Sequence, residues 1–284
     1  MKQTRGPLLL IGGAEDKVGS RVVLRRFVEL AGGINARIVI IAAASSYEDL
    51  VGRRYMALFT ELGAASAEVL QARDRTEARH PLPAEQIANA TGLFITGGDQ
   101  LKLTALLGGT PLAEAIRRCH RDGGVIAGTS AGASVAPEHM LAYGGSGIAP
   151  RKAMMQFAPG LGLVTGLVVD QHFGARNRAG RLMTAIAYNP DLIGIGLDED
   201  TAVQIDPDGH LTVIGRGSVM VVDGTEVSYT DIHRVAEHAP LALFGLRVHL
   251  LSDNCHFDIP SRTPMPPSTM PASSEIGLNH GDGI

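Results

Sequence analysis

Short apolar runs rich in Val, Ile and Leu punctuate the first half of the chain, at Leu8 to Ile11, Arg37 to Ala43, Glu68 to Gln71, Leu93 to Thr96 and Val125 to Ala127. Continuous runs that stop at a glycine or a turn mark strands buried on both faces, where neither face needs polar residues. Between them lie stretches of helical length, Val18 to Ala31, Leu50 to Leu62, Pro83 to Ala90 and Pro111 to Asp122. Strand and helix alternate, which predicts an α/β fold built on a doubly wound, mostly parallel sheet. Further on, Leu167 to Val169 runs into Asp170-Gln171-His172, and Leu192 to Leu197 into Asp198-Glu199-Asp200, so both apolar runs end on polar side chains. Thr201 to Ile205 and His210 to Ile214 flank the turn Asp206-Pro207-Asp208-Gly209, and Val219 to Val222 follows. This pattern predicts a hairpin and an antiparallel flank on the far side of the sheet.

No composition break divides residues 1–260, which are expected to form a single domain. Residues 261–284 are rich in Pro, Ser, Thr and Gly and poor in apolar periodicity, so they are expected to be a mobile tail. With 45% hydrophobic and 19% charged residues the chain can fill a core. Its net charge of −4, 4% aromatics and absence of Trp give neither the basic footprint nor the stacking platforms of a nucleic-acid binder. The apolar stretch inside Met1 to Ile11 is too short for a signal peptide, and no stretch has membrane-spanning length, so no membrane is expected as a partner. Cys119 and Cys255 form neither a disulfide framework nor a zinc set, which suits two reduced thiols in a cytoplasmic protein. No cofactor is expected either. Glycines at 12, 13 and 19 miss the spacing of a dinucleotide loop, and no His, Asp and Glu set has metal-ligand spacing.

Gly128-Thr129-Ser130-Ala131-Gly132 fits the nucleophile elbow G-x-S-x-G, in which small neighbours let the chain turn sharply and present the serine hydroxyl. With 35 glycines among 284 residues the pattern alone carries little weight, so its surroundings decide. Val125 to Ala127 supplies a strand before it, and small residues after it can open a helix. A serine nucleophile needs a base, and His172 stands at the end of an apolar strand, on the edge where open α/β sheets keep their sites. An acid must orient that imidazole; Glu199 stands after the next strand, with Asp198 and Asp200 as competitors. Oxyanion donors are expected from the backbone amides of Ala131 and of the Gly97-Gly98-Asp99-Gln100 turn, at Gly98.

Together with Gly12-Gly13-Ala14-Glu15-Asp16-Lys17, Thr96-Gly97-Gly98-Asp99-Gln100, Asp170-Gln171-His172-Phe173 and Asp198-Glu199-Asp200-Thr201-Ala202, this elbow resembles the cyanophycinases, serine peptidases related to aspartyl dipeptidase. The resemblance implies a flavodoxin-like or glutamine-amidotransferase-like sheet and a homodimer. It also implies cleavage of cyanophycin, a poly-aspartate backbone bearing arginine on each β-carboxyl, into β-aspartyl-arginine dipeptides. It implies Ser130, His172 and Glu199 as the triad, and a substrate pocket of Gln100, Asp170, Gln171, Arg176, Arg178 and Arg181. Guanidinium groups clamp carboxylates bidentately, which suits a polymer with a free arginine carboxylate on each repeat. Asn177 is an expected N-cap that would set Arg178 and Arg181 on one helical face, and Asp170 is the nearest acceptor for the substrate guanidinium. An aspartyl dipeptidase acting on Asp-X peptides, and a silent protein that binds acidic peptides, are the alternatives.

Overall fold

A computed structural model describes residues 5–267 of the chain. Five strands and the helices between them open the fold: β1 (Leu8–Ile11), β2 (Arg37–Ile41), β3 (Ser66–Leu70), β4 (Gly92–Ile95) and β5 (Val125–Thr129). They pair in parallel in the order β1-β5-β4-β2-β3. A hairpin of β6 (His139–Gly144) and β7 (Met155–Pro159) follows, then β8 (Leu167–Asp170), β9 (Ile193–Leu197), β10 (Thr201–Ile205), β11 (His210–Gly215) and β12 (Val219–Asp223). The chain closes with the ribbon β13 (Tyr229–Thr230) and β14 (Leu243–Phe244), then β15 (Arg247–Leu251), β16 (His256–Asp258) and β17 (Thr263–Met265). Strands β10, β11, β16 and β17 extend the sheet antiparallel from β1, making nine strands in all. The expected α/β class and antiparallel flank are both present.

One expectation changes. β8, β9 and β12 belong to a second sheet of four strands, ordered β15-β12-β9-β8, and do not continue the first. Its inner residues Leu167, Val169, Ile193, Ile195, Val219 and Val221 share one apolar core with Leu8, Leu10 and Ile126 of the main sheet. Its outer face is covered by Leu182, Ala185 and Ile186 of the helix Ala179–Tyr188. Buried on both faces, these strands have the same apolar runs as main-sheet strands, and their pairing leaves no trace in periodicity. On the opposite face of the main sheet, Leu9 and Ile11 pack with the helices Val22–Leu30 and Glu48–Glu61 around Phe27, Tyr55, Phe59 and Phe94. Neighbouring ring centroids among these four aromatics lie 4.6 to 5.9 Å apart.

The helix expected from Val18 begins only at Val22. Asp16 accepts the amides of Val18, Gly19 and Arg21 at 2.8 to 3.0 Å and winds the intervening residues into a loop. Those same amides, Arg21 first, hold the Asp16 carboxyl well below its ordinary value. A helix at Gln100–Leu107 was not expected. Asp99 caps it, accepting the amides of Leu101 and Lys102 at 2.8 and 3.1 Å.

The sheet also runs past the boundary expected at residue 260, since Thr263–Met265 pairs with β16; residues 268–284 of the expected tail lie outside the described residues. Arg262 reaches the fully buried Asp223, with Nη1 donating to Oδ1 at 2.6 Å, and donates to Asp191 O at 2.5 Å. Burial pushes the Asp223 carboxyl up, but hydrogen bonds from Thr225 and Arg262 outweigh it and hold the group below its ordinary value. Without Arg262 the buried Asp223 would keep Thr225 and, at 3.6 Å, Arg247, but lose its closest cation, at a cost of about 3 kcal/mol. Arg262→Ala, or truncation after residue 260, should therefore lower Tm by roughly 6–12 °C in a thermal melt; an unchanged melting curve would show that the segment beyond residue 260 adds nothing to stability.

Candidate active site

Ser130 follows the end of β5 with φ 52° and ψ −110°, a conformation that L residues rarely adopt. The glycines on either side of it are required by contact. A Cβ on Gly128 would come within 2.3 Å of Gly132 O, and one on Gly132 within 2.2 Å of Ile95 O. The elbow is thus pressed against both the strand behind it and the turn in front.

Ser130 Oγ lies 3.0 Å from His172 Nε2, and His172 Nδ1 lies 2.6 Å from Glu199 Oε1. The neighbouring carboxylates are engaged elsewhere. Asp198 accepts the amides of Gly174 and Ser218 and the Ser218 hydroxyl. Asp200 accepts the Asp16 amide at 2.7 Å and faces Arg216. Among these three acids, the structure brings Glu199 alone onto the imidazole.

What aligns the pieces is the end of β1. Ile11 O accepts the Ser130 amide at 2.9 Å, Gly12 O the His172 amide at 2.8 Å, and Gly13 O the Asp200 amide at 2.9 Å. Successive carbonyls of one short segment therefore hold the turns that carry the serine, the histidine and, beside Asp200, the glutamate. Gly13 adopts φ 96°, and a Cβ there would sit 2.5 Å from His172 Cε1 and Nε2. The Gly12-Gly13 pair, considered above for a dinucleotide, makes room for the imidazole.

Of the expected oxyanion donors, Ala131 follows the serine directly and Gly98 belongs to a turn that meets it through Gly97. Ala131 opens the helix Ala131–Ser134, so its amide has no acceptor within that helix. The Gly97-Gly98 turn lies against the elbow, with a Cβ on Gly97 falling 3.3 Å from Ser130 Cβ. The Ser130 amide itself is taken by Ile11 O.

The six expected pocket residues divide. Gln171 is buried, and its Oε1 lies 3.3 Å from Ser130 Oγ. Gln100 donates to Ala142 O at 2.6 Å. Arg176 is exposed and makes no ion pair among the described residues. Asp170, only 1% exposed, is not free to receive a substrate guanidinium: Arg181 Nε donates to its Oδ2 at 2.5 Å, and Arg181 Nη2 and Arg178 Nη1 donate to its Oδ1. Arg178 also donates to Gln171 O, and Arg181 to Gly144 O at 3.2 Å. Burial pulls the Arg178 guanidinium down to about 10, against the opposing pull of Asp170. The helix carrying Arg181 starts at Ala179 behind Arg178, with no side-chain cap, so Asn177 does not cap it. Sequence reasoning also missed Glu15, a buried carboxylate whose Oε2 accepts the Thr129 hydroxyl at 2.6 Å. Its only signal was an acid two residues past a strand-ending glycine pair. Among the described residues no group of three or more His, Cys, Asp or Glu could hold a metal ion, and no helix is long and apolar enough to cross a membrane.

A serine on a strained elbow, an imidazole on its Oγ and a carboxylate behind that imidazole, set at the edge of an α/β sheet, form an arrangement that serine hydrolases use. Residues 8–213 match Peptidase family S51, and the chain belongs to that family. It is 45% identical over 264 residues to a cyanophycinase of Trichormus variabilis, spanning 93% of this chain and 89% of the relative. It is also 45% identical over 267 residues to a cyanophycinase of Geminocystis herdmanii, spanning 93% and 98%. A peptidase from an acI-B1 Actinobacterium shares the fold, with a TM-score of 0.64 at 23% identity over 91% of this chain and 98% of that one.

The contact between Gly13 and the imidazole gives a test. Gly13→Ala should leave the circular dichroism spectrum unchanged and lower the hydrolysis rate roughly 100-fold, because a displacement near 1 Å is enough to misalign a base. A folded variant with the parent rate would mean that His172 does not need its present place.

Proposed function

We propose that this chain is a cyanophycinase, a serine-type exopeptidase that releases β-aspartyl-arginine dipeptides from the poly-aspartate backbone of cyanophycin. The observation that carries the reading is the Ser130, His172 and Glu199 string of hydrogen bonds in a chain 45% identical to cyanophycinases over most of its length. His172 Nε2 takes the Ser130 proton as Oγ attacks the backbone carbonyl, and Glu199 accepts a hydrogen bond from Nδ1–H, fixing the tautomer and offsetting the imidazolium charge. The amides of Ala131 and Gly98 receive the developing oxyanion. The imidazolium then protonates the leaving amine, and water, activated by the same histidine, hydrolyses the acyl-enzyme.

Binding follows from charge. Arg178 and Arg181 share the single carboxylate of Asp170, so the cluster beneath Gln171 keeps an excess positive charge. A low-dielectric surface over such a cluster attracts an anionic group, and the arginine α-carboxylate of each repeat supplies one. Arg176, exposed and two residues before Arg178, is the arginine free to close on that carboxylate. Asp170 then acts as the brace of the two buried guanidinium groups. A cytoplasmic homodimer completes the reading. The two free thiols, Cys119 and Cys255, suit a reducing compartment, and burial pushes Cys119 up to about 11, which keeps it unreactive.

Ser130→Ala should fold normally and lose several orders of magnitude in rate. Glu199→Gln should lower kcat roughly 100-fold or more, and Asp200→Asn much less, because only the former touches the imidazole; equal losses would reassign the acid. Substrate choice is read by comparing kcat/KM for cyanophycin, plain poly-aspartate and an α-linked Asp-X dipeptide in one buffer. Cyanophycin should lead by roughly 1,000-fold or more, since a site built around charges rejects analogues that leave them unpaired. Preference for the dipeptide would make the protein an aspartyl dipeptidase, and no turnover of any of the three would make it a binding protein.

A further inference from the structure

Glu15 is a charged group in the interior, 3% exposed, that the chemistry above does not use. A buried carboxylate is costly unless it is paired and hydrogen-bonded, so its surroundings indicate its purpose. Both oxygens are engaged. Oε1 accepts the Tyr55 hydroxyl and lies 2.9 Å from Lys17 Nζ, while Oε2 accepts Thr129 Oγ1 at 2.6 Å. Lys17 also donates to the carbonyl of Glu15 at 3.1 Å and lies 5.3 Å from the centroid of the Tyr55 ring. Burial, with the charge of Glu15 next, pushes the Tyr55 phenol well above its ordinary value, so Tyr55 remains a donor to the carboxylate. Tyr55 is itself fixed among Phe59 and Phe94 in the aromatic core. One end of this network is therefore anchored in the body of the fold.

The other end is the residue before the nucleophile. Thr129 is the last residue of β5, is 3% exposed, and leads directly into the strained φ and ψ of Ser130. Glu15 belongs to the same segment whose carbonyls hold Ser130, His172 and Asp200. We infer that Glu15 is a positioning residue: its carboxylate grips the Thr129 hydroxyl, sets the direction in which the chain enters the elbow, and so keeps Ser130 Oγ on His172 Nε2. The elbow is then held on two sides, by Ile11 O at the Ser130 amide and by Glu15 at the Thr129 side chain. This inference rests on Ser130 being the nucleophile.

The test reads acylation of Ser130 by a fluorophosphonate probe, together with kcat and KM on cyanophycin, for Thr129→Val, Thr129→Ser, Glu15→Gln, the double variant Thr129→Val with Glu15→Gln, and Ser130→Ala. Thr129→Val keeps the shape and removes the donor. It should lower both the labelling rate and kcat roughly 10- to 100-fold, with KM nearly unchanged. Thr129→Ser keeps the donor and should restore both to within about threefold of the parent. Glu15→Gln should lose as much as Thr129→Val, and the double variant no more than either, because the two act through one contact. If Glu15→Gln does not fold, the valine and serine variants at 129 decide alone. Parent-like labelling in Thr129→Val, an equal loss in Thr129→Ser, or additive losses in the double variant would overturn the inference. Full turnover by Ser130→Ala would instead remove the nucleophile on which it rests, whereas a silent Ser130→Ala beside a fully active Thr129→Val would reject the role of Glu15 alone.

Discussion

The end of β1 holds the site together. Ile11, Gly12 and Gly13 each offer a carbonyl to a different turn, those of Ser130, His172 and Asp200. β1 can do this because it lies inside the main sheet, with β5 parallel on one side and β10 antiparallel on the other. Its direction is fixed by both neighbours, and beyond Ile11 it is free to pair with whatever lies past the sheet's edge. What lies there is the end of β8, from the second sheet. A single strand end thus joins two sheets at the point where the serine of one meets the histidine of the other.

Such a meeting point needs backbone shapes that strands and helices do not provide. Ala14, Ser130, His172, Asn177 and Asp200 all take positive φ without being glycine. Each such residue costs about 1–3 kcal/mol in isolation. A hydrogen bond returns about 0.5–1.5 kcal/mol net, so one bond per residue does not always suffice. Ser130 has its amide on Ile11 O and its carbonyl on the amides of Ala133 and Ser134; His172 has its amide on Gly12 O and its carbonyl on the Arg176 amide; Asp200 has its amide on Gly13 O and its carboxylate on the Asp16 amide. Three of the strained residues, Ser130, His172 and Asp200, are each tied through two of their own groups. This is how a surface turn can hold an imidazole as firmly as a core residue.

Much of this was legible in the chain. Apolar runs marked the strands, and polar residues just after them marked His172 and Glu199, because strand ends are where side chains leave the core together. The pairing of the strands was not legible. Leu167 to Val169 and Leu9 to Ile11 look alike as sequence, yet they lie in different sheets, so the histidine approaches the serine from a facing sheet and not along a shared edge. Burial of charge was equally hidden. Asp170, Arg178 and Arg181 look like a solvated, substrate-facing set as letters, and only the fold closes them on one another. Glu15 was quoted as part of a motif, but nothing local could link it to Thr129, 114 residues away.

Those separations have a consequence for the order of events as the chain is made. Ser130 and His172 are 42 residues apart, His172 and Glu199 a further 27, and the bond between Asp16 and Asp200 spans 184. The β8 and β9 strands that carry the later groups need β12, and β12 is flanked in turn by β15, which ends at Leu251. A chain emerging from the ribosome can complete its five parallel strands and present a serine while the groups that would activate it are still unmade. The hydroxyl stays an ordinary alcohol until nearly the whole polypeptide has been released. A hydrolase assembled in this way is silent during its own synthesis.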